Sequence, residues 1–299
     1  MRILATGTKG QVVEALRARG AAQGIELIAL GRPELDLERP DTLPALVQRV
    51  APDAVISVAA YTAVDQAETH TEAAHVVNAA SPGALAAAAA AIGAPIIHLS
   101  TDYVFDGEAD RPYAETDPTS PRSVYGATKL AGEQAVMAAN PNHVILRTAW
   151  VYSATGKNFV KTMLRLAAER SEIAVVADQR GNPTYAGDIA DGVYAILRRL
   201  AEGSPGPYGV YHMTGSGEAS WAEFARAIFE ASATRGGPSA QVRDIATADY
   251  PTPAPRPRNS RLDCRRLAID YGVTLQDWPS ALGVCLDELI GRQMNLRNA

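Results

Sequence analysis

The first half of the chain alternates short unbroken apolar runs with stretches whose apolar residues recur at helical spacing. The run Arg2–Thr6 leads into glycines and then a helical pattern through Val12, Val13 and Leu16. Ile25–Leu30 is a second strand-like run and Leu43–Val50 is helix-like. Ala54–Ala60 is almost continuously apolar, as a strand covered on both faces should be. An alanine-rich helix is predicted from about Glu72 to Ile92, followed by a strand at Pro95–Ser100, a helix at Tyr125–Ala139 and a strand at Val144–Thr148. Strand and helix repeating in this order predict an α/β fold, a doubly wound parallel sheet of the Rossmann type.

The second half is less regular. Asn158–Arg170 and Gly187–Leu200 read as helices, and Ala201–Gly209, rich in Gly and Pro, reads as a connector. Ser220-Trp221-Ala222-Glu223 fits a capping box opening a helix through Ala231. Pro251, Pro253, Pro255 and Pro257 alternate, which predicts extended backbone over the surface. The domain boundary is placed near Tyr152. Residues 1–152 form the sheet domain, 153–299 form mainly a smaller C-terminal domain, and a segment near 187–202 returns to the first.

Composition narrows the function classes. Lys+Arg of 28 against Asp+Glu of 33 gives a net charge of −5, which argues against broad binding to nucleic acid or anionic membranes. The longest apolar tract, Gly83 to Ile97, is mostly alanine, broken by Gly93 and Pro95, and too short to span a bilayer. The opening residues lack a signal-peptide apolar region. Cys264 and Cys285 form no CxxC, which points to a reducing compartment; a cytoplasmic location is expected. The five histidines show no metal-ligand spacing, so no metal site is expected, and His98, within a strand, reads as simply packed. Ser100 has no GxSxG context.

The candidate chemistry starts at Gly7-Thr8-Lys9-Gly10-Gln11-Val12-Val13, between the first strand and the first helix. Glycines there allow a tight turn and bring backbone N–H groups to a pyrophosphate at the positive helix end, which marks Gly7, Gly10, Gln11 and Val12 as a dinucleotide site. Val13 replaces the third glycine of the usual spacing, a change that would set the helix slightly farther out. After the second strand comes Gly31-Arg32. An arginine here can hold a 2′-phosphate, so NADPH is the expected cofactor and NADH the alternative, although a solvated surface arginine fits the spacing nearly as well. Asp36 and Leu37 could meet the adenine, or form a simple turn. Tyr125 and Lys129, four apart, share a helix face, and Thr101 lies at the carboxyl end of a strand, where ligands of open α/β sheets bind.

The Thr101, Tyr125 and Lys129 combination resembles the extended, nucleotide-sugar-modifying branch of the short-chain dehydrogenase/reductase superfamily. The strings Ala59-Ala60-Tyr61-Thr62-Ala63-Val64-Asp65, Ser100 to Gly107, Leu146 to Tyr152, Asp178 to Thr184 and Arg256 to Asp263 are similar to the dTDP-4-dehydrorhamnose reductase family within it. The matches run from Gly7 to Asp263. Besides Val13, Ser57 departs from the family's common asparagine, and Gly31 stands where some relatives are acidic.

The resemblance implies reduction of a 4-keto group on a dTDP-linked 6-deoxy sugar, giving dTDP-L-rhamnose. It implies Thr101, Tyr125 and Lys129 as catalytic, Ala60, Tyr61 and Thr62 along the cofactor, and Asp102 and Trp150 against the substrate in the smaller domain. Trp150 fits a core tryptophan at the domain junction nearly as well. A lysine one helical turn from Tyr125 has the sign to lower the phenol from its ordinary pKa of ~10. The residues leave open whether the chain is a homodimer. They also leave two rivals. One is a dehydratase or epimerase of the same branch, although Tyr103 stands where dehydratases carry a second acid. The other is a non-catalytic regulatory subunit, which the intact trio argues against.

Overall fold

The computed structural model describes residues 1–202 and 207–297, with side chains described as far as residue 290. In chain order the elements are β1 (Arg2–Thr6), α1 (Gln11–Gly20), β2 (Glu26–Leu30), α2 (Leu43–Val50), β3 (Ala54–Ser57), α3 (Val64–Ala67), α4 (Thr71–His75), α5 (Ser81–Ala91) and β4 (Ile96–Thr101). They continue through α6 (Val124–Ala139), β5 (His143–Thr148), β6 (Val151–Tyr152), α7 (Phe159–Ala167), β7 (Glu172–Val176), β8 (Arg180–Gly181), β9 (Thr184–Tyr185) and α8 (Ala186–Ala201). The last are β10 (Gly209–His212), β11 (Ala219–Ser220), α9 (Trp221–Ala233), β12 (Gln241–Ile245), β13 (Asn259–Ser260), α10 (Arg265–Tyr271) and α11 (Trp278–Arg297).

The predicted doubly wound sheet is there. Its order is β10-β5-β4-β3-β1-β2 and every pairing is parallel. The chain winds outward from β1 to β2 on one side, and through β3, β4 and β5 on the other. The crevice where the winding reverses therefore lies between β1 and β3, at their carboxyl ends. One apolar cluster fills the face covered by α1, α8 and α10, with Ile3, Val13, Leu16, Ile189 and Leu267 among its members. A second fills the opposite face under α2 and α5, including Leu4, Leu46, Val55 and Leu85. A third, built by α7, α9 and α11 around Val160, Phe224 and Leu286, belongs to the second half of the chain.

Sequence and structure differ at instructive places. The alanine-rich helix is not uniform: α4 passes into a wide π turn at Val76–Ala80 before α5. Asn78 sits in that turn and binds the Tyr61 backbone and the Thr128 hydroxyl, a use typical of π bulges beside functional sites. The strand at Ala54 stops at Ser57 because the Thr6 hydroxyl accepts from the Val58 and Ala59 N–H groups, both at 2.9 Å, and draws them out of the ladder. Asn158 caps α7, accepting from Lys161 N at 3.0 Å. The capping box is complete: Ser220 N donates to Glu223 at 2.6 Å and Glu223 N to Ser220 Oγ at 3.1 Å. The alternating-proline stretch forms no strand, bends at residues 253–254 and is tethered to Asp65, which accepts from Ala254 N at 3.2 Å and Arg256 at 2.7 Å. The predicted connector Ala201–Gly209 includes residues 203–206, which lie outside the described residues.

Candidate active site

The turn after β1 demands glycine. Gly7 and Gly10 have φ of 95° and 132°, which a side chain would strain, and Gly10 leads directly into α1. The first residues of α1 turn their side chains away from the helix end. Val12 and Val13 point into the core, so only their backbone remains there. Gln11 also spends its side chain elsewhere: its Nε2 donates to Val151 O at 3.2 Å, and its Oε1 accepts from Ser153 at 3.2 Å and Asn158 at 2.9 Å. The glycine turn is thereby tied to the segment following β5.

Arg32 lies past the end of β2 with 70% of its side chain exposed and Glu38 at 3.6 Å. Asp36 makes the turn, accepting from Glu38 N at 3.0 Å. The Leu37 side chain packs on the second cluster, and its carbonyl accepts from Ser81 Oγ. Ala60, Tyr61 and Thr62 follow β3. Asn78 grips the Tyr61 backbone, its Oδ1 accepting at 2.8 Å, and the Tyr61 hydroxyl meets His70 Nδ1 at 2.7 Å.

Tyr125 is set on the first turn of α6 by the Ser123 cap, which accepts from Gly126 N at 3.1 Å. Gly126 is required by crowding: a Cβ there would stand 2.2 Å from the Tyr103 carbonyl oxygen, so no other residue lets α6 reach the turn after β4. That approach brings the Tyr125 side chain beside Thr101 and sets the Tyr103 ring edge-on to it, with centroids 5.5 Å apart. Thr101 Oγ1 also lies 3.0 Å from Asp102 Oδ1 and accepts from Tyr103 N at 3.3 Å. Burial pushes the Asp102 carboxyl up to about 6, against the opposing pull of the Ser260 and Thr101 hydroxyls.

Lys129 is 3% exposed. Its ammonium donates to the Leu99 carbonyl at 2.6 Å and lies 3.3 Å from His98 Nε2, and burial brings it down to about 8 against the pull of Glu133. This corrects two expectations. Tyr125 is pushed up to about 12, by burial first and the Asp102 charge in the same sense, so it moves opposite to the lowering predicted from the Tyr–Lys spacing. His98 is a partner of Lys129 and not merely a packed strand residue.

Trp150 adopts φ 49° and stacks on Trp221, centroids 3.5 Å apart and planes 11° from parallel, with Gly181 against its edge. The structure brings Thr101, Asp102 and Tyr125 together. It joins Lys129 to the strand beneath them, and it puts Trp150 into the aromatic packing of the third cluster. A cleft of about 900 Å³ elsewhere is lined by Arg111, Asp117, Asn182, Thr214, Asp263 and Arg265; its charges pair as Arg111–Asp117 and Arg265–Asp263. Among the described residues, no three His, Cys, Asp or Glu side chains gather as a metal site, and no helix is long and apolar enough to cross a membrane.

The sequence motifs do not single out Asn78, Glu133 or Arg147. Arg147, a charge inside the strand predicted at Val144–Thr148, is the legible signal, and its partner Glu133 lies four residues after Lys129, on the same helix face as that lysine.

The model of the family described as "RmlD substrate binding domain" matches residues 1–290. A dTDP-4-dehydrorhamnose reductase of Sinorhizobium fredii is 51% identical over 279 residues, 93% of this chain and 94% of that protein. A solved dTDP-4-dehydrorhamnose reductase of Clostridium acetobutylicum superposes with TM-score 0.90 at 38% identity, covering 97% of this chain and 99% of that one. Another, of Bacillus anthracis in complex with NADP, gives TM-score 0.88 at 35% identity, covering 96% and 99%.

Proposed function

The chain belongs to the dTDP-4-dehydrorhamnose reductase family, and from that premise we propose how its own residues carry out the reduction of the 4-keto group of dTDP-4-dehydro-L-rhamnose to dTDP-L-rhamnose with NADPH. The observation that carries this reading is the placement of Tyr125 beside Thr101 at the carboxyl end of β4, with Lys129 one helical turn behind.

The residues present fit a dinucleotide. The turn at Gly7 and Gly10 leaves backbone N–H groups open at the α1 N-terminus, where an anionic pyrophosphate is favoured, and Arg32 is exposed for a 2′-phosphate. Ala60, Tyr61 and Thr62 would follow the cofactor along the β3 end, and Asp36 and Leu37 would flank its adenine. When bound, the cofactor supplies a hydride to C4 of the sugar. Thr101 orients the carbonyl oxygen. Tyr125 gives its phenolic proton to the alkoxide forming at O4, and its raised pKa keeps that proton in place at neutral pH. The tyrosinate left behind takes a proton back from the medium, which closes the balance: one hydride and one proton for each alcohol formed. Lys129 holds the nicotinamide ribose and steadies the tyrosinate.

Asp102, bound to Thr101 at 3.0 Å, would accept from a sugar hydroxyl, while Trp150 would pack against the sugar. In this reading residues 1–152 bind NADPH with help from α8, whose side chains share the cluster of the sheet face, and residues 153–299 mainly form the dTDP-sugar side, supported by the cluster of α7, α9 and α11. Both thiols are free, which supports a reducing, cytoplasmic setting.

The test follows the reduced-nicotinamide absorbance of the purified protein with a dTDP-4-keto-6-deoxy sugar. Loss of absorbance matched mole for mole by new dTDP-6-deoxy alcohol is expected. Redox-silent binding would favour a regulatory subunit, and loss of water from a dTDP-hexose would favour a dehydratase.

A further inference from the structure

We propose that His98 is a positioning residue for Lys129: held by Ser57, its ring fixes the direction of the Lys129 ammonium and so presents one remaining donor to the cofactor ribose. This rests on the proposed contact between Lys129 and that ribose. An ammonium has three N–H donors and no acceptor. The Leu99 carbonyl oxygen takes one at 2.6 Å, and His98 Nε2, next to it on β4, stands ready for a second at 3.3 Å. Two acceptors fixed on one strand stop rotation about the Cε–Nζ bond and leave a single N–H for a ligand hydroxyl.

His98 can do this in only one protonation form. Nε2 accepts when it carries no hydrogen, so Nδ1 must carry it and donate to Ser57 Oγ, 3.0 Å away on β3. Burial and the adjoining ammonium both keep the ring neutral, the first being the larger effect. The other charges in this part of the interior, Glu133 on α6 and Arg147 on β5, are bound to each other. The chain Ser57–His98–Lys129 thus crosses from β3 through β4 to α6, and it gives a role to Ser57, one of the few departures from the family pattern.

The experiment measures NADPH Kd by calorimetry, with kcat and thermal melting, in His98→Leu, His98→Gln, Ser57→Ala and Lys129→Met. His98→Leu should weaken NADPH about 10-fold, the lower range for a hydrogen bond to a charged group. His98→Gln, whose amide oxygen can take the place of Nε2, should recover most of the loss. In the Lys129→Met background His98→Leu should add nothing. If His98→Leu melts far below the wild type, Ser57→Ala decides the matter, since it removes the tautomer lock and leaves the ring; about a threefold loss is expected. Wild-type NADPH affinity in Ser57→Ala and His98→Leu, with Lys129→Met impaired, would overturn the proposal, as would a glutamine variant as weak as the leucine one. Unchanged affinity in Lys129→Met would instead remove the proposed role of Lys129 itself, and this inference with it.

Discussion

The Glu133 carboxylate and the Arg147 guanidinium meet inside the protein at 2.7 Å, with 0% and 5% of their side chains exposed. Ser100 also donates to Glu133, and the Arg147 guanidinium carbon stands 5.0 Å from the Phe105 ring centroid. The pair bolts α6, which carries Tyr125 and Lys129, to β5 and β4. Arg147→Met should cost about 3–5 kcal/mol, because it leaves the Glu133 charge buried alone. Joint replacement with Glu133→Leu should restore much of that. Urea unfolding of the three variants checks it; a double variant no better than the single one would show that the pair is needed for more than mutual neutralisation.

Asp102 should cost the protein stability at neutral pH. Its folded pKa of about 6 lies above the ordinary 3.8, so the folded form binds the proton more tightly. The penalty for the buried charge is therefore full above pH 6 and vanishes below about pH 4. Asp102→Asn should raise unfolding stability at pH 7.5 by about 2–3 kcal/mol, and this gain should fade on acidification. A gain that ignored pH would point to packing instead.

Val13, 1% exposed, fills the cluster between α1 and the sheet where the usual pattern has glycine. Val13→Gly should lose about 2–4 kcal/mol, from ~1 for glycine in a helix and the rest for lost burial. Thermal melting of the protein without cofactor reads it directly, and an unaltered midpoint would mean the sheet collapses into the space.

Arg32→Ala should weaken NADPH by roughly 10-fold or more, the worth of a charge-assisted phosphate contact, and leave NADH nearly unchanged. Titration with each cofactor decides; equal losses would assign Arg32 to the turn alone.

Tyr125→Phe should cut turnover by about 10²–10⁴ while the fold and NADPH affinity persist. The pairing of stopped-flow reduction with cofactor titration separates the two effects. Near-wild-type reduction would move the proton donor elsewhere.

Strand–helix alternation made the large sheet legible, because apolar runs such as Ala54–Ser57 and Val144–Leu146 have to be buried on both faces. What resisted reading was set by contacts far apart in sequence. Nothing local to Val58 says that Thr6 will take its N–H, and nothing local to Asn78 announces the π turn that grips Tyr61. The site divides in the same way. The glycine turn and the Tyr125–Lys129 spacing are local signals. The rise of Tyr125 and the attachment of Lys129 to His98 depend on which groups fold over them.

The edge strand β10, residues 209–212, pairs with β5, and α8 before it lies on α1, where the Tyr194 hydroxyl donates to Leu16 O at 2.6 Å. After Tyr152 the polypeptide therefore returns to the sheet domain twice, with α8 and β10 and again with α10. A gene fragment ending at Tyr152 would encode a sheet with β5 bare along one side and α1 stripped of its neighbour, an open template for self-association. Exchange of the second half of the chain between relatives, by recombination or by design, has to carry α8, β10 and α10 along with it or replace them in register.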